Sequence, residues 1–441
     1  MKLNLYLVAL FLGLAHTSQS QMRFTLREAQ DYAADNSFSA QRAELDVRAA
    51  KAKVLETTAI GLPQISAEGS YNHNVQIPTS VVPGEFFGAP PGTFIPVRFG
   101  VRHSMTGGLT GTQLLFNGSY IVGLQASMAY KRLSEQNRTK TKIEVRQEVA
   151  NAYYLVLAAS ENVSMLEKAL SVVKELSVAT RALYENGLSD EQSADQIDLS
   201  KATLENNLEY AKLQGEQALD LLRFTMGLPQ GTAIELSDNL NQLITNASAT
   251  AMINGNSEAT IDYQIAKNVV QLQRLNLKNT QAAYLPTVAL FATHQQNGFA
   301  NELDRFQWNR FFPASIIGFK ISMPILTSGM QHQKVQQARL EFKKAQLQET
   351  QAREGIALQQ QNARNSYNFQ LRNYQNQKAN LALAERVKNK TMIQFKEGIA
   401  SSFDYSQAEN QYIQAQGAYI QAIINLLNAQ TEYLKAFNQL N

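Results

Sequence analysis

The first residues to read for chemistry in this chain are its five histidines and its carboxylates, since there is no cysteine. His16, His73, His103, His294 and His332 are scattered, and none belongs to an HExxH helix or another metal-spaced pair. Without a thiol, thiolate nucleophiles and Cys-based zinc sites are excluded. The adjacent acids Asp190 and Glu191 point apart on a helix, so they make no acid–base pair. Gly107, Gly108 and Gly111 sit inside an alternating stretch, where they allow curvature, and the fuller glycine pattern of a phosphate loop is missing. No catalysis, cofactor or metal site is expected.

The elements that would position functional residues are written twice. Tyr184-Glu185-Asn186-Gly187-Leu188 returns as Phe395-Lys396-Glu397-Gly398-Ile399, so the two glycines stand 211 positions apart. Asn117-Gly118 and Ser328-Gly329 repeat at that spacing, and Gly61-Leu62-Pro63 corresponds to Tyr284-Leu285-Pro286. A duplication longer than a solenoid unit points to two copies of one complete structural layer. The organisation expected is a signal segment over 1–20, a first repeat over 21–227, an irregular linker over 228–257 and a second repeat over 258–441.

The first residues carry Lys2, an apolar core from Leu3 to Leu14, and the small residues Ser18-Gln19-Ser20 before a cut near Gln21. That is the layout of a cleavable secretory signal, and the run is shorter than the roughly 20 residues of a membrane-spanning helix. The lack of cysteine rules out an acylated N-terminal Cys. No later segment reads as a transmembrane helix, so a membrane location would require a closed β-barrel. The balance of 40 basic and 37 acidic residues gives a net charge of +3, too small for a nucleic-acid partner. Gln and Asn are about as numerous as the charged residues, which makes a wet but electrically bland surface.

Thr25-Leu26-Arg27-Glu28 is a capping-box pattern that opens a helix to about Ile60, where Pro63 ends it. From Gln64 the period becomes two: Ile65, Ala67, Gly69 and Tyr71 alternate with Gln64, Ser66, Glu68 and Ser70. A loop over about 74–96 follows, with Phe86, Phe87 and Phe94, and a second alternating stretch runs from Phe99 through Leu109. In the second copy Thr287 to Thr293 leads into a loop holding Phe299, Phe306, Trp308, Phe311 and Phe312. The return strand sets Ile317, Phe319, Ile321 and Met323 against Gly318, Lys320 and Ser322. Strands of about ten residues with this alternation suit a membrane barrel with a watery lumen, and the loop aromatics suit an interfacial girdle. A soluble antiparallel subdomain packed on helices is the other reading.

The rest is long helix, over 120–186 and 330–397, with shorter helices over about 25–60 and 190–227. In the last helix Ala408, Ala415, Ala422, Ala429 and Ala436 recur every seven residues, interleaved with Tyr405, Tyr412, Tyr419, Leu426 and Tyr433. That 3.5-residue seam imposes a left-handed supercoil. Gly187 and Gly398 suit the left-handed conformation that closes a helix. Ser189 with Gln192, and Ser401 with Asp404, read as capping boxes for the helices that follow.

Signal, duplicated helix–strand–strand–long helix–turn–helix units and Gly-Leu/Gly-Ile elbows together resemble the TolC-like outer-membrane efflux proteins. The resemblance covers essentially the whole mature chain and rests on the order and spacing of elements. It implies a mainly α protein with a transmembrane β-barrel. Each duplicated protomer would give four strands to a trimeric twelve-stranded barrel, and its long coiled helices to a periplasmic α-barrel. It implies a homotrimer in outer-membrane lipid, a periplasmic adaptor and an inner-membrane transporter as partners, and an exit duct for efflux or secretion. The exposed elbows, Gly187, Leu188, Gly398 and Ile399, would then meet the adaptor. Asp404 falls where the family places a pore-facing aspartate at the periplasmic constriction; helix capping is its other role, and the two can coexist. The family's second acidic position is Gln407 here. Two positions that lock the closed tip in some members are Phe395 and Ala400, neither of which can supply that bond. The rival readings are a soluble periplasmic coiled-coil protein and a constitutively open porin.

Overall fold

The computed structural model describes residues 22–250, 255–302 and 310–440. The expected signal segment, His16, Phe306 and Trp308 lie outside them. The helices are α1 (Leu26–Asn36), α2 (Phe38–Ala59), α3 (Gly118–Glu185), α4 (Glu191–Met226), α5 (Leu240–Ser248), α6 (Ile261–Ala282), α7 (Met330–Lys396) and α8 (Ser402–Ala436). The strands are β1 (Met22–Phe24), β2 (Gln64–His73), β3 (Thr79–Pro83), β4 (Phe94–Arg98), β5 (His103–Phe116), β6 (Ile234–Leu236), β7 (Thr287–Ala300) and β8 (Phe311–Ser322). The two long helices, α3 and α7, are unbroken over 68 and 67 residues. The chain divides into two compact units, and each takes segments from both sequence repeats.

The first unit comprises residues up to Val47, Ser134–Lys267 and Gln348 onward. It is helical and holds the apolar core. Val149, Tyr153, Leu222, Met226, Ile423 and Leu426 are buried together in one cluster, and Val173, Ile197, Leu204 and Tyr405 in another. The seam of α8 turns inward as its heptad demands: Tyr405, Leu426 and Tyr433 have no exposed surface, and Ala422 almost none. The capping box at Thr25 is present, with the Glu28 N–H donating to Thr25 Oγ1 and the Thr25 N–H to Glu28 Oε2.

Two expectations fail here. The helix expected over 25–60 is broken at Ser37, which is extended (ψ 151) and whose Oγ accepts the Ala40 N–H. The physical reason is Gly227, which closes α4 at φ +76 and brings its backbone against the break. A Cβ there would lie 2.5 Å from the Asn36 carbonyl oxygen. The segment 228–257 is not an irregular linker either, among its described residues. β6 pairs in parallel with β1, and α5 buries Leu240, Ile244 and Ala247. One polar hub ties these pieces down: buried Tyr153 donates its hydroxyl toward the Phe24 carbonyl and Asp238 Oδ2, each at 3.0 Å, and Asp238 also accepts the Leu26 N–H at 2.6 Å. Tyr153→Phe leaves the Asp238 carboxylate one donor short and is expected to cost about 1–2 kcal/mol, read as a lower melting temperature of the purified protein. An unchanged melting temperature would show that the hub adds nothing.

The second unit comprises Arg48–Leu133 and Asn268–Leu347. Its centre is a four-stranded antiparallel sheet in the order β2-β5-β7-β8. The strands hold 10, 14, 14 and 12 residues, so three of them exceed the expected ten. The apolar alternation fades before the strands end because β7 continues through His294, Gln295, Gln296 and Asn297. β5 begins at His103, later than Phe99, and the 74–96 loop contains the β3–β4 hairpin. Register separates the two faces. Ile65 aligns with Gly111, Ala292 and Ile317, and Leu290 with Phe319. The other face carries Ser66, Glu68 and Ser70 beside Thr110 and Thr106, then Thr293, Gln295 and Asn297. On the first face Ile65 is 78 % exposed, Ile317 75 %, Phe319 70 % and Ile321 71 %, an apolar surface that none of the described residues covers. No described helix is long and apolar enough to cross a membrane.

Candidate functional site

Both elbows lie in the first unit. Gly187 and Gly398 adopt φ +72 and +70, the left-handed conformation their position demands. In each copy the residue after the glycine donates its N–H back across the last helical turn, Leu188 to Leu183 and Ile399 to Gln394, both at 2.8 Å. This is a Schellman closure, and it pushes Leu188 and Ile399, each 75 % exposed, out into solvent. A groove lined by Leu183, Leu188, Asp190, Phe395, Gly398 and Ser401 brings the two elbows together. Across them the Ser402 hydroxyl donates to Ser193 Oγ at 3.3 Å, and the Ser200 and Ser406 hydroxyls meet at 3.0 Å.

The capping of the two following helices corrects one expectation. Asp190, and not Ser189, caps α4, accepting the Ser193 N–H at 2.7 Å and the Ser193 hydroxyl at 2.9 Å. Ser401 caps α8, and Asp404 accepts both its N–H at 3.0 Å and its hydroxyl at 2.7 Å. Shifting by 211 maps Asp190 onto Ser401 and Ser193 onto Asp404. The same Asp–Ser pair therefore closes both elbows with its members exchanged. The Ser193 N–H at Asp190, and the Ser401 hydroxyl and N–H at Asp404, hold both carboxyls below the usual carboxylate range. Asp190 at the N-cap of α4 and Asp404 in the first turn of α8 thus set an ionised, exposed carboxylate at each helix start, where the helix dipole favours it.

Behind the elbows the copies diverge at one equivalent position. In the first hairpin Asp198 accepts from the Ser177 hydroxyl at 2.5 Å and from Arg181, and Arg181 also reaches Asp195. These partners hold Asp198 down to about 2. In the second hairpin the corresponding residue is Glu409, almost wholly buried. One of its oxygens accepts the Tyr405 hydroxyl at 3.1 Å and the other has no hydrogen-bond partner. Burial pushes its carboxyl above the usual range, opposed by Lys388, whose ammonium lies 4.3 Å over the Tyr412 ring. Phe395, which lacks the polar tip of its counterpart Tyr184, stacks on Tyr405 at 6.0 Å. The second hairpin is therefore held by aromatic packing where the first has ion pairs.

A pH dependence follows. The folded protein holds the Glu409 proton more tightly than the unfolded chain does, so this group favours folding below its ordinary range near 4.5, and that contribution is lost as pH rises through its raised value. Asp198 acts in the opposite sense, contributing above 3.8 and losing its effect as pH falls through about 2. Glu409→Gln is expected to raise the melting temperature at neutral and alkaline pH, with little change at pH 4. Melting curves across that range check it, and a variant that loses stability equally at every pH would contradict it.

Comparison with known proteins places this geometry. The family model described as outer membrane efflux protein matches residues 30–228. Among curated proteins none matches by sequence. Solved structures share the fold, among them the following three. The CmeC outer membrane channel of Campylobacter jejuni is 17 % identical with a TM-score of 0.72, over 94 % of this chain and 85 % of that one. The outer membrane protein VceC of Vibrio cholerae is 17 % identical with a TM-score of 0.67, over 93 % and 95 %. The MtrE outer membrane channel of Neisseria gonorrhoeae, in its open state, is 17 % identical with a TM-score of 0.68, over 94 % and 89 %. The family match covers the first repeat, and the fold match extends over nearly the whole chain, in a mainly helical architecture shared with outer-membrane channels. The resemblance drawn from the sequence, to the TolC-like outer membrane efflux proteins, points to the same family as the model that matches residues 30–228.

Proposed function

We propose that this protein is a passive exit duct of the outer membrane. Three copies close one twelve-stranded barrel, and an inner-membrane transporter working through a periplasmic adaptor delivers the cargo. The observation that carries this reading is the sheet. Its four strands present an uncovered apolar face and a polar one, and β2 and β8 stand at its two edges. Four strands are too few to enclose a lumen, and unpaired edges cannot stand in lipid, so closure by further copies satisfies both constraints. The adaptor's site in this reading is the elbow pair, Gly187-Leu188 and Gly398-Ile399, whose exposed apolar tips would otherwise face water. In this reading the cleavable signal segment over 1–20 exports the chain, the sheet stands in the outer membrane and the helices stand in the periplasm.

Asp404 supplies a ring of three carboxylates at the constriction, which favours cations over anions. Its carboxylate is ionised at neutral pH because its own capping partners keep it so. Asp404→Asn retains an acceptor for the Ser401 N–H, so it removes the charge and spares the cap. The expected result is a reversal potential in a salt gradient that moves toward the unselective value, with trimers intact. Unchanged cation preference in the planar bilayer would remove Asp404 from the constriction.

A further inference from the structure

The histidines that look unrelated along the chain are not all apart in space. His73, the last residue of β2, stands directly opposite His103, the first of β5, so both side chains leave the same face of the sheet. Their Nδ1 atoms approach to 3.2 Å, and the Tyr71 hydroxyl, two residues back on that face, lies 2.7 Å from His103 Nδ1. The rings pack at 4.6 Å between centroids, and His103 is 93 % buried, since 7 % remains exposed. Beyond them the strands give way to the loop, whose base is fastened by the Asn74 N–H to the Arg102 carbonyl and the Asn74 side-chain amide to the Val101 carbonyl.

Proton counting makes this arrangement unusual. A ring nitrogen carries either one lone pair or one hydrogen, so His103 Nδ1 can bond fully with only one of its two neighbours. If it accepts, two donors share one lone pair; if it donates, one hydrogen is split between Tyr71 and His73. A divalent cation resolves the conflict by taking both lone pairs at once. With metal–nitrogen bonds of about 2.0–2.1 Å, nitrogens 3.2 Å apart subtend about 100° at the ion, close to a tetrahedral angle. Imidazole suits zinc, copper and nickel, and the phenol oxygen and water can complete the shell. No set of three or more His, Cys, Asp or Glu side chains among the described residues could hold a metal, so a bound ion here rests on two imidazoles.

We infer that His73 and His103, with Tyr71 beside them, form a binding site for a divalent transition-metal ion that clamps β2 to β5 at the base of the loop. The site is separate from the duct, since it lies on the face of the sheet that carries the exposed apolar residues. The test uses the purified full-length protein in detergent, stripped with chelator and titrated with copper(II), zinc(II) or nickel(II) chloride. One ion per protomer is expected, with a copper electron paramagnetic resonance spectrum showing splitting from two nitrogens. His73→Gln and His103→Gln should each weaken binding at least tenfold and abolish the rise in melting temperature that zinc gives the unaltered protein. His294→Gln, altering a histidine bonded to Ser315 on another part of the sheet, should leave binding unchanged. No stoichiometric binding by the unaltered protein, or a spectrum with no nitrogen splitting, overturns the inference whether or not the variants fold. Equal binding by the His73 and His103 variants overturns it as well.

Discussion

A Gly398→Val protein is expected to reach the outer membrane as an assembled trimer and to export nothing. Gly398 holds φ +70, and a Cβ built there meets no atom within 4 Å, so the substitution introduces no clash. What it introduces is backbone strain, about 1–2 kcal/mol for an ordinary L-residue in the left-handed region and more for a β-branched one. The elbow can escape that strain only by re-routing. It then loses the Ile399 N–H to Gln394 bond, and the exposed Ile399 tip leaves the position proposed for docking. Asn tolerates the left-handed region better than other non-glycine residues, so Gly398→Asn should retain most export. Resistance of cells carrying each variant to compounds the unaltered protein exports, beside heat-modifiable migration of the trimer, separates the two effects. Normal resistance with valine would show that the conformation of this elbow does not govern docking.

Gly227→Ala is expected to cause the largest loss of stability of any single-methyl addition considered. Here strain and crowding combine. The residue sits at φ +76, and its added carbon would fall 2.5 Å from the Asn36 carbonyl oxygen and 2.9 Å from the Ser37 Cα, both backbone atoms that cannot rotate away. A cost of about 3–4 kcal/mol follows, against about 1 kcal/mol where only the left-handed conformation is penalised. Gly231 provides that comparison, with φ +83 and open space around it. The two alanine variants, melted side by side, should differ clearly. Equal losses would mean that the close approach of α4 to the break between α1 and α2 contributes nothing.

These two glycines mark where the sequence was readable and where it was not. Gly398 could be read locally, because a helix-closing glycine, the exposed apolar residue after it and the Ser401–Asp404 cap lie within a few positions. The repeat then located its partner at Gly187. The break at Ser37 was invisible, because its cause lies in a residue distant in the chain that presses on an otherwise continuous helical pattern. Asp190 was missed for a subtler reason. Ser189 and Gln192 fit a capping box, but the helix starts one residue later and the carboxylate is the stronger acceptor. The alternation of Ile65, Ile317, Phe319 and Ile321 fixed which face of the sheet is apolar. It could not fix strand ends, because polar residues continue on both faces beyond the apolar band. His73 and His103 escaped notice because their meeting depends on the β2–β5 register, which no local spacing encodes.

The central claim is that the sheet is one third of a membrane barrel. The most direct measurement is the native mass of the protein extracted intact from outer membranes. Three copies held together in detergent are expected, because only closure pairs β2 of one protomer with β8 of the next. A monomer, or recovery of the protein from the soluble periplasm alone, would contradict it.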